Sequence, residues 1–241
     1  MSLVVSKAFR LIDLVSGGTD TLAELAKAAD MSRSTTHRIL ATLVTHKYLI
    51  LESKRYKLGY RLLELGEQKK RSLNLLDTLH PVLDHYAEET GDTVHLAVLD
   101  RDEIVLIDVV RGKRQLQIAS YVGQRTPAAM TAVGKVLIGQ LPSGKWNRYL
   151  APITDHYPKT KAQLLEEFRS ARRYNFAIDI DECNIGTCGI ASSFSIDPLH
   201  KAAVSINGAT VYFDPERFEA LSSVIRQMSK EVEEAISRLA G

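Results

Sequence analysis

The stretch Ser32-Arg33-Ser34-Thr35-Thr36-His37-Arg38-Ile39-Leu40-Ala41-Thr42-Leu43-Val44-Thr45-His46 decides how the N-terminal part of the chain is read. Ser32 suits an N-cap, because its hydroxyl can accept a hydrogen bond from an amide of the first turn. From about Arg33 to His46 the apolar residues repeat at helical spacing, which turns Thr36, Ile39, Leu40 and Leu43 inward. Ser34, Thr35, His37, Arg38, Ala41 and Thr42 then face outward. That face carries hydroxyls and long cations and no carboxylate. A helix entering the major groove of DNA needs such donors near its N-terminus and no negative charge facing phosphate.

The flanking sequence agrees. Val5, Ala8, Phe9, Ile12 and Val15 make one face of a first helix, which Gly17-Gly18 stops. Thr21 followed by Glu24 reads as a capping box that opens a second helix, with Leu22, Leu25, Ala26 and Ala29 inside. Asp30-Met31 is the turn, so the second and third helices form a helix-turn-helix. Beyond it, Tyr48 to Leu51 and Tyr56 to Leu58 flank the polar turn Glu52-Ser53-Lys54-Arg55, a two-stranded ribbon with a basic tip. Such a wing reaches the DNA backbone or minor groove. The candidate DNA-contacting set is Ser32, Arg33, Ser34, Thr35, Thr36, His37 and Arg38 from the helix, with Lys54, Arg55 and Lys57 from the wing.

Charge distribution points the same way. Residues 1–66 carry ten Lys and Arg against six Asp and Glu, although the whole chain of 241 residues has a net charge of only +2. A basic head on a slightly acidic body suits a partner that meets the head alone. The domain organisation expected is a winged helix-turn-helix over residues 1–60, a linker helix over 61–73 and a larger domain over 74–241.

With 45% hydrophobic residues and 25% charged, the chain can bury a core, which excludes disorder. No apolar run approaches the roughly 20 residues of a membrane-spanning helix, so no membrane partner is expected. The start lacks the charged-then-apolar order of a secretory signal. The two cysteines, Cys183 and Cys188, make no disulfide framework, and the cytoplasm is the expected compartment.

In the larger domain Leu75, Leu76, Leu79, Val82, Leu83 and Tyr86 form a helical stripe interrupted by Pro81. Strands are expected at Val94–Leu99, Ile104–Val110, Gln115–Tyr121, Gly189–Ile196 and Ala202–Asn207, with helices at Thr131–Leu141, Lys161–Tyr174 and Pro215–Leu239. Hairpin-length separations make the sheet mainly antiparallel, so the fold class is α+β.

Enzyme chemistry finds little support. Thr131-Ala132-Val133-Gly134-Lys135 lacks the upstream glycine and spacing of a phosphate loop and reads as a helix start. Cys183 and Cys188 have no nearby histidine for a zinc site. A thiol hydrolase built on Cys188 would need a base within reach and an oxyanion site, and no local motif supplies them. No catalytic residue, metal or cofactor is expected.

Several stretches together resemble the IclR family of bacterial transcription regulators. They are Ala23-Glu24-Leu25-Ala26 with Ser32 to Leu43; Tyr56-Lys57-Leu58-Gly59 with Leu62 to Gly66; and Glu89 to Val98. The remainder are Gly123, Pro127 and Thr131 to Lys135; Asp179 to Glu182 with Gly186 and Ile190-Ala191; and Ala203 to Gly208. The resemblance implies a GAF-like sensor domain and a small-metabolite effector, with organic acids among those expected. It also implies a double-stranded operator and assembly as a homodimer or homotetramer. The effector-binding residues it implies are Ala132, Val133, Asp179, Gly189, Ser205 and Asn207, with Cys188. This chain departs from the family pattern there: the family's cysteine position holds Gly189, and Cys188 falls one residue earlier. Since a one-residue step along a strand reverses the side chain, Cys188 is expected to point away and to leave room at Gly189.

Overall fold

The computed structural model describes residues 2–72, 75–154 and 157–240. They form two compact units, residues 1–74 and 75–241. The junction expected between residues 73 and 74 lies outside the described residues.

In the first unit, α1 (Leu3–Ser16), α2 (Leu22–Ala28) and α3 (Arg33–Thr45) precede the hairpin β1 (Leu49–Glu52) and β2 (Arg55–Leu58), and α4 (Tyr60–Ser72) follows. The capping residues read from the sequence act as such: the Thr21 hydroxyl accepts from the Glu24 amide at 3.4 Å and that of Ser32 from the Thr35 amide at 3.3 Å. Leu11, Leu25, Leu40 and Leu49 are fully or almost fully buried and, with Ile39 and Tyr56, form the core that fixes α3 against its neighbours. The hairpin pairs Leu49 with Leu58 and Glu52 with Arg55. Its two turn residues, Ser53 and Lys54, both have positive φ (48° and 64°), the geometry that matches strand twist in a two-residue turn.

The second unit contains α5 (Leu76–Thr90), β3 (Thr93–Asp100), β4 (Glu103–Val110), β5 (Arg125–Pro127), α6 (Ala132–Gln140), α7 (Lys161–Tyr174), β6 (Ala177–Ile180), β7 (Thr187–Ser195), β8 (Lys201–Ala209) and α8 (Pro215–Ala240). Six strands form one antiparallel sheet in the order β5-β4-β3-β8-β7-β6. Small residues on one face, Ala97, Ala191 and Ala203, let α6 approach closely through Val133, Val136 and Leu137, with Phe168 of α7 behind them. On the other face α5 and α8 bury Leu79, Leu83, Ile225 and Met228. This is the α+β, GAF-like arrangement with a curled antiparallel sheet.

Three elements differ from the sequence expectation. Residues 115–121 form no strand. The segment runs outside the sheet until Gly123 and Gln124 join β4: Gly123 N–H donates to Leu106 O at 2.7 Å and Leu106 N–H to Gln124 O at 3.0 Å. Ser120 thereby reaches His95 Nε2 at 2.7 Å. Its period-2 pattern is genuine, but side-chain and turn hydrogen bonds replace a strand ladder there. Conversely β5 and β6 are short edge strands that the sequence expectation lacked, their registers set by pairing with β4 and β7. Among the described residues no helix is long and apolar enough to cross a membrane.

Candidate functional site

The outward side of α3 presents Arg33, Ser34, His37 and Arg38 to solvent, with Ser32 exposed at the cap and Thr35 half-buried. Their hydroxyls form a local cluster: Ser32 Oγ donates to Thr35 Oγ1 at 2.9 Å and lies 3.2 Å from Ser34 Oγ. Thr36 does not belong to this face and is withdrawn from the candidate set. It is fully buried, and its hydroxyl donates to Ser32 O at 3.0 Å. Helical periodicity carries it into the core, where the backbone carbonyl satisfies its hydroxyl.

All three wing cations are exposed, and two are already engaged. Arg55 Nη1 donates to both carboxylate oxygens of Asp20 at 2.7 Å, and Lys57 Nζ meets Glu52 Oε2 at 2.7 Å. Lys54 stands at the hairpin tip with no ion-pair partner among the described residues.

In the second unit a cavity of about 70 Å³ opens between the sheet and the start of α6. Cross-strand register builds its floor, placing Asp179, Gly189 and Asn207 side by side on one face. Asp179 Oδ2 accepts from the Ala132 amide at 2.6 Å, and Asn207 Nδ2 donates to Ser205 Oγ at 2.8 Å. Burial pushes the Asp179 carboxyl up to about 7, against the Ala132 hydrogen bond and the charge of Lys135. Val133, Asp179 and Asn207 border the cavity, whereas Ala132 and Ser205 stand behind it and hold Asp179 and Asn207 in place.

Gly189 leaves no spare room. A Cβ there would come within 2.5 Å of Asn207 Oδ1 and 3.2 Å of Asp179 Oδ2, so these two side chains fill the space the glycine vacates. Cys188 borders the cavity, yet strand alternation turns its thiol to the opposite face, where Sγ lies 3.6 Å from Gly208 O. Burial, reinforced by the charge of Asp179 and Asp92, pushes that thiol up to about 12. A thiol held protonated is the reverse of what a nucleophile needs.

The sequence reading missed the opposite wall: His95, Ser120, Gln124, Thr126 and Thr187. Burial lowers His95 to about 4, so its ring is neutral and joins Ser120 through a hydrogen bond rather than a charge. The placement of His95 was legible from β3 alternation, but Ser120 arrives only because residues 115–121 abandon the sheet.

Behind the cavity Lys135 is fully buried, its Nζ 2.6 Å from both Glu182 oxygens, 2.7 Å from Glu167 Oε2 and 3.1 Å from Ile178 O. Lys159 and the Tyr157 hydroxyl also bond Glu182. Gly134 permits the tight start of α6, since a Cβ would sit 1.9 Å from Ala128 O. The Gly134-Lys135 pair is therefore a packing device, with every ammonium proton committed. No group of three or more His, Cys, Asp or Glu that could hold a metal occurs among the described residues.

A helix-turn-helix with a basic hairpin, followed by an α+β unit enclosing a small polar cavity, defines the class of winged-helix regulators that bind DNA. Comparison with known proteins agrees. Residues 4–50 match the IclR helix-turn-helix domain and residues 68–234 the bacterial transcriptional regulator IclR C-terminal domain. The chain belongs to the IclR family of DNA-binding transcriptional regulators. It is 27% identical over 240 residues to the transcriptional repressor IclR of Escherichia coli K12, covering 95% of this chain and 88% of that protein. The crystal structure of Thermotoga maritima IclR superposes with a TM-score of 0.75 at 28% identity, covering 96% of this chain and 98% of that one. An IclR homologue from Microbacterium hydrocarbonoxydans, complexed with 4-hydroxybenzoate, shares the fold with a TM-score of 0.82 at 18% identity, covering 98% and 99% of the two chains.

Proposed function

We propose that this regulator binds a roughly palindromic operator through α3 and its wing, and that a small molecule in the α6–β6–β7–β8 cavity modulates that binding. The observation that carries the DNA reading is the acid-free outer face of α3, where Arg33, Ser34, His37 and Arg38 are all exposed on a helix locked by its core. Ser32 and Thr35 complete the contact surface at its amino end, and Lys54, Arg55 and Lys57 hold the flanking backbone. Residues 1–60 act as the DNA-binding domain, 61–73 as the connection and 74–241 as the sensor.

The effector reading rests on the buried polar floor made by Asp179 and Asn207 beside Val133, positioned by Ala132, Gly189 and Ser205. The relative crystallised with 4-hydroxybenzoate supports a ligand-binding role for this unit. Two copies would present two α3 helices to two half-sites. α1 leaves Leu3, Val4, Val5 and Phe9 exposed, an apolar stripe suited to pairing with a second copy. Linkage requires the effector to bind the DNA-competent and incompetent states unequally.

The experiment is selection of operators from a randomised duplex pool, followed by affinity titration over a range of salt. A selected inverted repeat, bound with affinity falling steeply as salt rises, is the expected result. Binding with no salt dependence or no sequence preference contradicts the DNA assignment.

A further inference from the structure

Among the described residues that border it, the cavity holds one carboxylate, that of Asp179, and neither Lys nor Arg. Lys135, the nearest buried cation, is committed to Glu182, Glu167 and Ile178 O on the far side.

A carboxylate brought here would lose its hydration and need several donors or a cation in return. The amino end of α6 is the obvious source, but the protein has taken two of its three free amides and leaves only Val133 N–H among the described residues. Ala132 N–H goes to Asp179 and Gly134 N–H to Thr131 Oγ1 at 3.0 Å. Asn207 Nδ2 is given to Ser205. His95 offers a hydrogen bond from a neutral ring already joined to Ser120. What remains besides Val133 N–H is the Gln124 amide and a set of hydroxyl oxygens: Ser120 and Thr126, with Thr131 and Thr187, whose own protons go to Ala128 O and Asn184 O at 3.3 and 2.7 Å. Asp179 Oδ1 makes no hydrogen bond to any described residue, so that oxygen can accept a ligand hydroxyl.

We propose that the effector is a small uncharged molecule with neighbouring hydroxyls, of the short polyol or aldose kind, rather than a carboxylate anion. It donates one hydroxyl to Asp179 and exchanges hydrogen bonds with the His95–Ser120 wall, while Ile104, Leu106 and Val133 cover its carbon skeleton. Hydroxyls both donate and accept, which matches walls that carry both kinds of group. A water needs about 10–15 Å³ of such space, so 70 Å³ holds about five to seven water-sized groups, the scale of a three-carbon polyol with its roughly six non-hydrogen atoms. This inference rests on the effector-pocket reading above.

The test uses the full chain at pH 8 in thermal-shift and calorimetric titrations with matched pairs: glycerol and glycerate, erythritol and erythronate, arabinitol and arabinonate. At least one neutral member is expected to bind saturably and about tenfold or more tighter than its acid, the scale of one hydrogen bond to a charged group. Asp179→Asn, which keeps an acceptor for Ala132, should weaken that neutral ligand by a similar factor. Thr187→Trp, at the half-exposed mouth, should abolish its binding. Two results overturn the assignment: tighter binding by an acid, or no binding by any neutral member. If whichever ligand binds still does so undiminished in a folded Thr187→Trp protein, the pocket reading itself fails, and the two failures are thereby told apart.

Discussion

The Asp179 carboxylate accepts a hydrogen bond from the Ala132 amide at 2.6 Å, so the amino end of α6 is answered by a charge of the protein's own. The same carboxyl is buried and raised to about 7, well above the ordinary 3.8, with Glu182 opposing its ionisation and Lys135 and Lys159 favouring it. A raised acid makes the folded state bind the extra proton. Its contribution is fully present below pH 3.8, declines as pH rises between about 4 and 7, and is absent above. The slope is at most about 1.4 kcal/mol per pH unit. Denaturant unfolding of the parent and Asp179→Asn at pH 5, 6, 7 and 8 should show the variant gaining relative stability as pH rises. A constant difference across that range sinks this account.

Thr36 and Arg38 sit two residues apart on α3 and have opposite fates. Arg38→Ala should weaken operator binding by about 1–3 kcal/mol with effector affinity and melting temperature unchanged. Thr36→Val should do the reverse, losing the bond to Ser32 O at a cost of about 1 kcal/mol in stability, with operator affinity per folded molecule intact. Fluorescence anisotropy and thermal melts on the two variants decide the matter. Equal effects on DNA binding would show that the exposed face of α3 is not the reading surface.

Asp20 holds Arg55 in a partly exposed ion pair, with side-chain exposures of 29% and 61%. Such pairs contribute at most about 1 kcal/mol, so Asp20→Asn should scarcely alter stability. It should release Arg55 for phosphate, tighten binding to duplex of any sequence and steepen the salt dependence by about one ion. Weaker binding would mean that Asp20 orients Arg55 on the operator rather than competing for it.

Lys135 and Glu182 are both buried with 0% side-chain exposure. Lys135→Met leaves a carboxylate inside with only Lys159 and Tyr157 as partners, and should cost about 3 kcal/mol. For a unit of this size that lowers the melting temperature by about 6–12 °C. Glu182→Gln added to Lys135→Met should recover much of the loss, because the stranded charge is then gone. Failure of the double variant to recover would place the cost in packing rather than charge.

Several features were legible from local residue types alone. The caps at Thr21 and Ser32, the length of α7, the basic hairpin and the alternation that separates Cys188 from Gly189 depend on neighbours within a few positions. The antiparallel sheet followed from hairpin spacing, and its GAF-like character from the family resemblance. Residues 115–121 were misread because their alternation is that of a strand while their hydrogen bonds are decided elsewhere, by Tyr212, Gln124 and His95.

By itself the sequence determined the helix order, the faces of α3 and the basic character of the head, since periodicity and capping are properties of adjacent residues. Only tertiary structure decided that Asp20 occupies Arg55, that Asn207 and Asp179 fill the gap over Gly189, and that the cavity wall pairs a carboxylate with no Lys or Arg among the described residues. Those partners lie 35, 18 and 10 positions apart in the chain, and strand register brings the latter two together. Register and burial are collective outcomes of packing, and so are the charges that a pocket keeps or excludes.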